Sequence, residues 1–96
     1  MVGVQAGYGE PVSWSLSVAP AAERALRGLD PNVRRRIVAA IDALEVDPRP
    51  AASTKLVGFS SRWRLRVGDY RILYDLNDRE LIIVVVGLGH RREVYR

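Results

Sequence analysis

Apolar and polar residues alternate in two stretches of the chain, which is the pattern of a β-strand with one buried face. The first stretch is WSLSVA at 14–19, and the second is WRLRVGDYRILYDL at 63–76. Gly68-Asp69 interrupts the second stretch, and glycine at the first position suits a two-residue type II′ hairpin turn. The run LIIVVVGL lacks a polar face, which favours a central strand covered on both sides. The pattern predicts strands at 14–19, 62–67, 70–76 and 80–87, the last two joined by a turn at Asn77-Asp78.

Between the first strand and the hairpin, the spacing of apolar residues predicts two helices. PAAERALRGL begins with Pro20 and ends near Gly28, an asymmetry typical of a short helix. In DPNVRRRIVAAIDALEVDP, Asp30 suits the N-cap and Pro31 the first helical position, while Pro48 blocks continuation. Apolar side chains recur on one face of this second helix, at Val33, Ile37, Ile41 and Leu44. The solvated side is expected to carry Arg34, Arg35 and Arg36.

The order of one strand, two helices and three strands predicts a small α+β domain. Both helices would pack on one face of a mixed, mainly antiparallel sheet. We place this domain at residues 14–96. Residues 1–13 carry three glycines, one proline and no periodicity, so a flexible N-terminal extension is expected there. The segment RPAASTKLVGFSS, between the second helix and the hairpin, is expected to be a loop with a few apolar anchors.

The composition limits the kinds of site that the chain can build. With 96 residues, 48% of them apolar, it can bury one modest core. It has no cysteine and one histidine, so we expect no disulfide, no metal and no cofactor. No apolar run is long enough to cross a membrane, and the N-terminus lacks the pattern of a signal peptide. These features predict a cytoplasmic protein.

Positive charge is concentrated in the second half of the chain. Residues 1–48 carry five arginines against six acids, whereas residues 49–96 carry nine arginines and one lysine against five acids. A basic half favours a polyanionic partner such as nucleic acid. The excess of arginine over lysine, with abundant alanine, valine and glycine, also fits a GC-rich codon bias. In that case part of the arginine reflects composition rather than function.

In the predicted hairpin, a two-residue turn places Arg66 opposite Arg71. Alternation then gathers Arg64, Arg66 and Arg71 on one face and puts Asp75 beside Arg62. Like charges facing each other across a sheet cost stability, and a bound anion would relieve that cost. Guanidinium groups bind phosphate in bidentate fashion, so a phosphate-binding face is favoured over an ordinary solvated face. The other face of the hairpin is predicted to be core, with Trp63, Leu65, Val67, Tyr70, Ile72 and Tyr74.

Three motifs taken together resemble one protein family. W-R-L-R at 63–66, G-D-Y-R-I-L-Y at 68–74 and G-H-R-R-E-V-Y at 89–95 resemble the RelE/ParE superfamily of bacterial toxins. The resemblance is greatest to the RelE branch of ribosome-dependent messenger-RNA endonucleases, and it extends over residues 14–96. It implies the toxin of a type II toxin–antitoxin system. By position in the family, the implied catalytic residues are Arg64, Arg66, Arg71, Arg91 or its neighbour His90, and Tyr95.

The implied reaction is metal-free cleavage of RNA by its own 2′-hydroxyl, in which fixed guanidinium groups stabilise the charge on the phosphorane oxygens. Relatives with lysine at the basic pair have a group that can take a proton, whereas Arg64 and Arg66 stay charged. Proton transfer is therefore expected from Tyr95, from His90 or from the ribosome. Ribosomal RNA is the alternative to solvent for the arginines at 34–36. Further RNA contacts are expected at Lys55, Arg62 and Arg92.

Two other functions stay open within the same resemblance. A ParE-type toxin inhibits DNA gyrase by binding and performs no chemistry, and an inactive member would act only in an antitoxin-bound repressor complex. The combination of Arg64, Arg66, Arg71 and Tyr95 favours the endonuclease, because a binder has no evident need for it. The implied partners are a cognate antitoxin, the ribosome with its messenger RNA, and operator DNA through the antitoxin, but no membrane. The antitoxin would mask or displace the arginines with a helix or an added strand.

Overall fold

A five-stranded mixed sheet with two helices on one face makes up residues 14–90, the part of the chain that the computed structural model describes. Along the chain the elements are β1 (Ser15–Val18), α1 (Pro20–Arg27), α2 (Pro31–Ala43), β2 (Ser53–Lys55), β3 (Arg62–Val67), β4 (Tyr70–Asn77) and β5 (Ile82–His90). The strand order is β1-β5-β4-β3-β2, with β1 parallel to β5 and every other neighbouring pair antiparallel. The predicted α+β fold class is confirmed. The face of the sheet away from the helices is called the open face below.

The core lies between the helices and the sheet, where the apolar stripes of the two layers meet. The predicted stripe of α2 is confirmed, because Ile37, Ile41 and Leu44 are each at most 2% exposed. A fully buried aliphatic side chain contributes about 1.5–3 kcal/mol, so this contact between layers dominates the stability of the fold. The sheet contributes Leu65, Ile72, Tyr74, Leu76, Ile83 and Val85 to the same cluster.

Neither α1 nor α2 is long and apolar enough to span a membrane.

The connection between the helices depends on one arginine that the sequence pattern predicts to face solvent. Asp30 caps α2 as predicted, since its Oδ1 accepts a hydrogen bond from the backbone of Asn32 at 2.9 Å. Arg34 is half-buried and donates to the carbonyl oxygens of Leu26 at 3.1 Å and Leu29 at 2.9 Å. The last carbonyls of a helix have no partner within it, and Arg34 supplies one for the end of α1.

The largest differences from the predicted strands are at β2 and β5. The segment expected to be a loop contains β2, which pairs with β3 at the edge of the sheet. The last strand begins two residues later than predicted, because Asn77 Oδ1 accepts hydrogen bonds from the backbones of Arg79 and Glu80, both at 3.0 Å, and so holds a turn. Leu81 then has a φ of 55°, which no regular strand residue adopts.

β5 is central in the sheet, but its apolar character does not reflect two covering layers. It lies between β1 and β4. Ile83 and Val85 are buried under the helices, whereas Ile82 and Val84, on the open face, stay partly exposed. The prediction of coverage on both sides is therefore wrong for residues 14–90.

A β-bulge interrupts the pairing of β4 with β5. Leu73 pairs with Gly87 and Tyr74 pairs with Val85, so Val86 is an extra residue on β5. Such an extra residue shifts every side chain after it to the other face of the sheet. Leu88 accordingly packs on the helix side, as does Val85 three residues earlier.

Tyr74 joins the sheet to the segment that follows α2. Its ring is fully buried, and its hydroxyl donates to the carbonyl oxygen of Pro48 at 2.8 Å. Burial raises the pKa of the Tyr74 phenol, against smaller opposing effects from Ser53 and Arg49. Tyr74 is thus a core residue, as predicted, with its single polar atom satisfied by the backbone.

Replacing Tyr74 with phenylalanine should lower the free energy of unfolding by about 1 kcal/mol at neutral pH, the usual net value of one hydrogen bond. The raised pKa means that the native phenol keeps its proton when the unfolded one, with a pKa of about 10, has lost it. Wild-type stability should therefore fall as the pH rises above about 10, and Tyr74→Phe should lack this component. Urea unfolding at neutral and alkaline pH measures both effects.

Tyr70→Phe is the matched control, because the Tyr70 hydroxyl makes no hydrogen bond with residues 14–90. An equal loss of stability in both variants at neutral pH would contradict the role given to the bond between Tyr74 and Pro48.

Candidate functional site

The register of the β3–β4 hairpin matches the one predicted from the sequence. Arg66 pairs with Arg71, Arg64 with Leu73, and Arg62 with Asp75. Trp63 and Tyr70 lie on the other face and pack against the core. The two-residue turn and strict alternation therefore bring the three predicted arginines to the open face.

The three arginines line a shallow pocket of about 140 Å³ together with Ala52 and Thr54. Thr54 belongs to β2, and Ala52 directly precedes that strand. Thr54 pairs with Arg64, and the carbonyl oxygen of Ala52 accepts a hydrogen bond from the backbone of Arg66 at 3.4 Å. Sequence reasoning missed Thr54, since the segment around it has no clear strand pattern. Its hydroxyl adds a neutral hydrogen-bond group to a cationic pocket.

The arginines differ in exposure, which the sequence did not indicate. Arg66 is exposed, Arg64 is half-buried, and Arg71 is only 9% exposed. On β5, Gly89 pairs with Arg71, and Gly87 pairs with Leu73. A Cβ at Gly87 would meet no atom within 4 Å. The open face beside the pocket therefore has room for a ligand.

Asp75 lies beside Arg62, as predicted from the hairpin register. Arg62 binds Asp75 through two parallel contacts, Nε to Oδ1 at 2.6 Å and Nη2 to Oδ2 at 3.1 Å. This hydrogen bond raises the pKa of Arg62, and Arg62 also lies over the ring of Phe59 at 5.2 Å. Within residues 14–90 no acid lies at ion-pair distance from Arg64 or Arg66. The pocket thus concentrates positive charge.

His90 lies on the opposite side of the sheet from the arginine pocket. It pairs with Tyr70, and the two rings meet edge to face with centroids 4.8 Å apart. Both rings line a second pocket of about 300 Å³ under α1, with Ala25 and Leu29. The structure therefore does not bring His90 together with Arg64, Arg66 and Arg71 as a proton donor or acceptor in the same pocket.

The remaining predicted residues fall into two groups. Lys55 pairs with Trp63, so alternation places it on the helix side, and Arg62 is held by Asp75. Neither lines the arginine pocket. The predicted positions outside the described residues are Arg91, Arg92 and Tyr95.

Among residues 14–90, the pocket offers fixed cations and no side chain that exchanges a proton near neutral pH. Guanidinium groups stay charged and bind the oxygens of phosphate or sulfate in a planar fork. No cluster of three or more potential metal ligands occurs among residues 14–90. The arrangement suits the binding of an anion and the stabilisation of charge that develops on it.

Comparison with known proteins agrees with this fold and surface. Residues 16–95 match the profile of the family described as the ParE toxin of the type II toxin–antitoxin system parDE. No curated protein sequence matches the chain. The RelE chain of the archaeal RelE–RelB complex from Pyrococcus horikoshii is 28% identical, with a TM-score of 0.74 over 82% of this chain and 96% of that one.

Isolated RelE toxin from Escherichia coli is 25% identical, with a TM-score of 0.71 over 86% of this chain and 92% of that one. A chain of the RelBE2 complex from Mycobacterium tuberculosis has the same fold, with 24% identity and a TM-score of 0.73 over 83% of this chain and 100% of that one. The resemblance inferred from the sequence motifs is thereby confirmed. The chain belongs to the ParE toxin family, within the RelE/ParE superfamily of type II toxin–antitoxin systems.

Proposed function

We propose that this toxin is a metal-free endoribonuclease that cuts messenger RNA on the ribosome. The observation that carries the proposal is the pocket lined by Arg64, Arg66 and Arg71, in which Arg64 and Arg66 have no acid of residues 14–90 at ion-pair distance. Arginine pairs facing one another lower stability. A phosphate bound between the two guanidinium groups would relieve their repulsion, so this pair favours anion binding.

In the proposed reaction the 2′-oxygen of the nucleotide before the cut attacks the adjacent phosphorus. The bond from phosphorus to the 5′-oxygen breaks, which leaves a 2′,3′-cyclic phosphate and a 5′-hydroxyl. Negative charge accumulates on the non-bridging oxygens in the transition state, and Arg64, Arg66 and Arg71 stabilise it. Arg66 is the most exposed of the three and meets the incoming phosphate first, while Arg71 is the most buried.

The two proton transfers need a group other than these arginines, because guanidinium groups stay protonated. His90 is separated from the pocket by the sheet, so we assign no transfer to it. By the family resemblance we assign one transfer to Tyr95, with Arg91 as a further phosphate contact, and the second to the ribosome.

A cognate antitoxin is the partner that the related complexes support, since RelE chains from three organisms occur with RelB. We propose that an acidic segment of the antitoxin covers the arginine pocket. Operator DNA would be contacted through that antitoxin.

Binding to DNA gyrase without chemistry is the second candidate, and the match to the ParE profile favours it. The pocket weighs against it, because a surface that only binds protein does not require three guanidinium groups around one phosphate-sized space. An inactive toxin that serves only in a repressor complex would have no need of the pocket either.

Expression of the toxin without its antitoxin should stop growth by cutting translated messenger RNA. Primer extension on a reporter transcript should show breaks inside codons, and the breaks should vanish when translation initiation is blocked. Intact transcripts accompanied by gyrase-dependent DNA breaks would instead identify the second candidate.

Arg66→Gln should remove anion binding without harming the fold. Arg66 is exposed, so little packing is lost, and the repulsion with Arg71 disappears. In chloride, stability should be unchanged or higher by about 0.2–1 kcal/mol. Replacing chloride with sulfate at equal ionic strength should raise the melting temperature of the wild type more than that of the variant.

Arg79→Gln is the control for this experiment, because Arg79 is exposed in the β4–β5 turn and does not line the pocket. It corrects for the general stabilisation of folded proteins by sulfate. Equal responses to sulfate in all three proteins would exclude an anion site at Arg66.

Tyr95→Phe should slow single-turnover cleavage on programmed ribosomes by about a hundredfold, the usual effect of losing a positioned acid or base. His90→Gln should cleave at nearly the wild-type rate, and its rate should depend on pH as the wild-type rate does, including near pH 6.5, about the ordinary histidine pKa. A large loss in His90→Gln with a normal melting temperature would contradict the assignment.

A further inference from the structure

Three consecutive arginines at the start of α2 have three different environments. Arg34 is tied to carbonyl oxygens at the end of α1. Arg35 donates to the side chain of Asn32, one turn back on the same helix. Arg36 is exposed, and within residues 14–90 it has neither a hydrogen bond nor an ion pair. Of the three, Arg36 alone keeps all its donors available.

Arg36 extends to the tip of the β3–β4 hairpin. Gly68, the first turn residue, has a φ of 59°, and a Cβ built on it would lie 2.8 Å from Nη2 of Arg36. Glycine suits this position because of its positive φ, whereas the contact with the flexible end of Arg36 shows that the guanidinium lies against the turn. The tip is shaped so that a cation from α2 can lie against it.

The position of Arg36 continues the basic surface around the end of the hairpin. Gly68 is two residues beyond Arg66, about 7 Å along an extended strand. Arg64 and Arg66 lie on the open face, and the guanidinium group of Arg36 lies against Gly68 at the tip of the hairpin. Asp69 lies in the same turn as Gly68, and no acid of residues 14–90 is at ion-pair distance from Arg36.

We infer that Arg36 binds a second phosphate of the same messenger-RNA strand whose scissile phosphate occupies the arginine pocket. This inference rests on the proposed function and concerns how the substrate is held. Phosphate contacts fix the register of a strand on its protein and contribute affinity that depends on salt. Arg36 is therefore a positioning residue, since it lies outside the pocket in which the bond breaks.

The test measures binding of the toxin to ribosomes whose vacant decoding site holds a messenger RNA with 2′-O-methyl groups, which the toxin cannot cut. Wild type, Arg36→Gln, Arg35→Gln and Arg66→Gln are titrated at several monovalent salt concentrations and constant magnesium. Loss of one phosphate contact should reduce the slope of log affinity against log salt by about 0.7. If the two proteins bind equally at 1 M salt, the variant should bind about fivefold more weakly than the wild type at 0.1 M.

Arg36→Gln should show this change and Arg35→Gln should not, although the two differ by one position on the same helix. Ribosomes without messenger RNA give the contribution of ribosomal RNA, and Arg36→Gln should match the wild type on them. In cleavage of unmodified messenger RNA, Arg36→Gln should raise the half-saturating ribosome concentration and leave the maximal rate unchanged.

Three results would overturn the inference. Equal slopes for Arg36→Gln and Arg35→Gln, with binding lost in Arg66→Gln, would show that the strand does not reach α2. An equal loss on ribosomes with and without messenger RNA would assign Arg36 to ribosomal RNA. Normal ribosome binding with weaker binding to the protein encoded by the adjacent gene would assign it to the antitoxin. The proposed function itself fails in a different way, if the wild type leaves unmodified messenger RNA on the ribosome uncut.

Discussion

The pairing register of one hairpin determines both the core and the candidate site. The turn at Gly68-Asp69 fixes which residues of β3 and β4 face each other. Because side chains alternate, a slip of one residue would send Trp63 and Tyr74 to solvent and the arginines under the helices. Burial of the aromatic residues therefore holds the arginines together. The energy that aligns the positive charges comes from the opposite face of the same strands.

Because the core face fixes the register, the open face can carry a pair of like charges that lowers stability. Arg66 faces Arg71, and Asp75, the acid on the same face of the hairpin, is held by Arg62 at its far end. The cost of the repulsive pair, about 0.2–1 kcal/mol, is small beside the burial of a single core isoleucine. A surface that stores a modest electrostatic strain is ready to bind an anion without having to move.

The sequence predicted those parts of the fold that depend on strong local periodicity. The hairpin register, the stripe of α2 and the aromatic core face all follow from alternation or helical spacing, and all three are observed. β2 has three residues and takes its shape from pairing with β3, so its own composition carried no signal. The burial of Arg71 and the tie between Arg34 and α1 are tertiary facts about single polar side chains, which periodicity does not encode.

The family resemblance places His90 among the catalytic candidates, and the bulge at Val86 explains why His90 lies on the other face of the sheet. Regular alternation would put His90 and Leu88 on the same face as Val84, which is the open face. Because Val86 is unpaired, every later side chain of β5 lies on the face opposite to the one that regular alternation gives. As a result two glycines, and not Leu88 and His90, stand beside the arginines. If the pairing continued without the bulge, with Val86 opposite Leu73, Leu88 would face Arg71 and close the pocket, and the two glycines would lie beneath α1. The pairing of one residue, rather than its chemical identity, therefore determines which side chains of β5 stand beside the arginines.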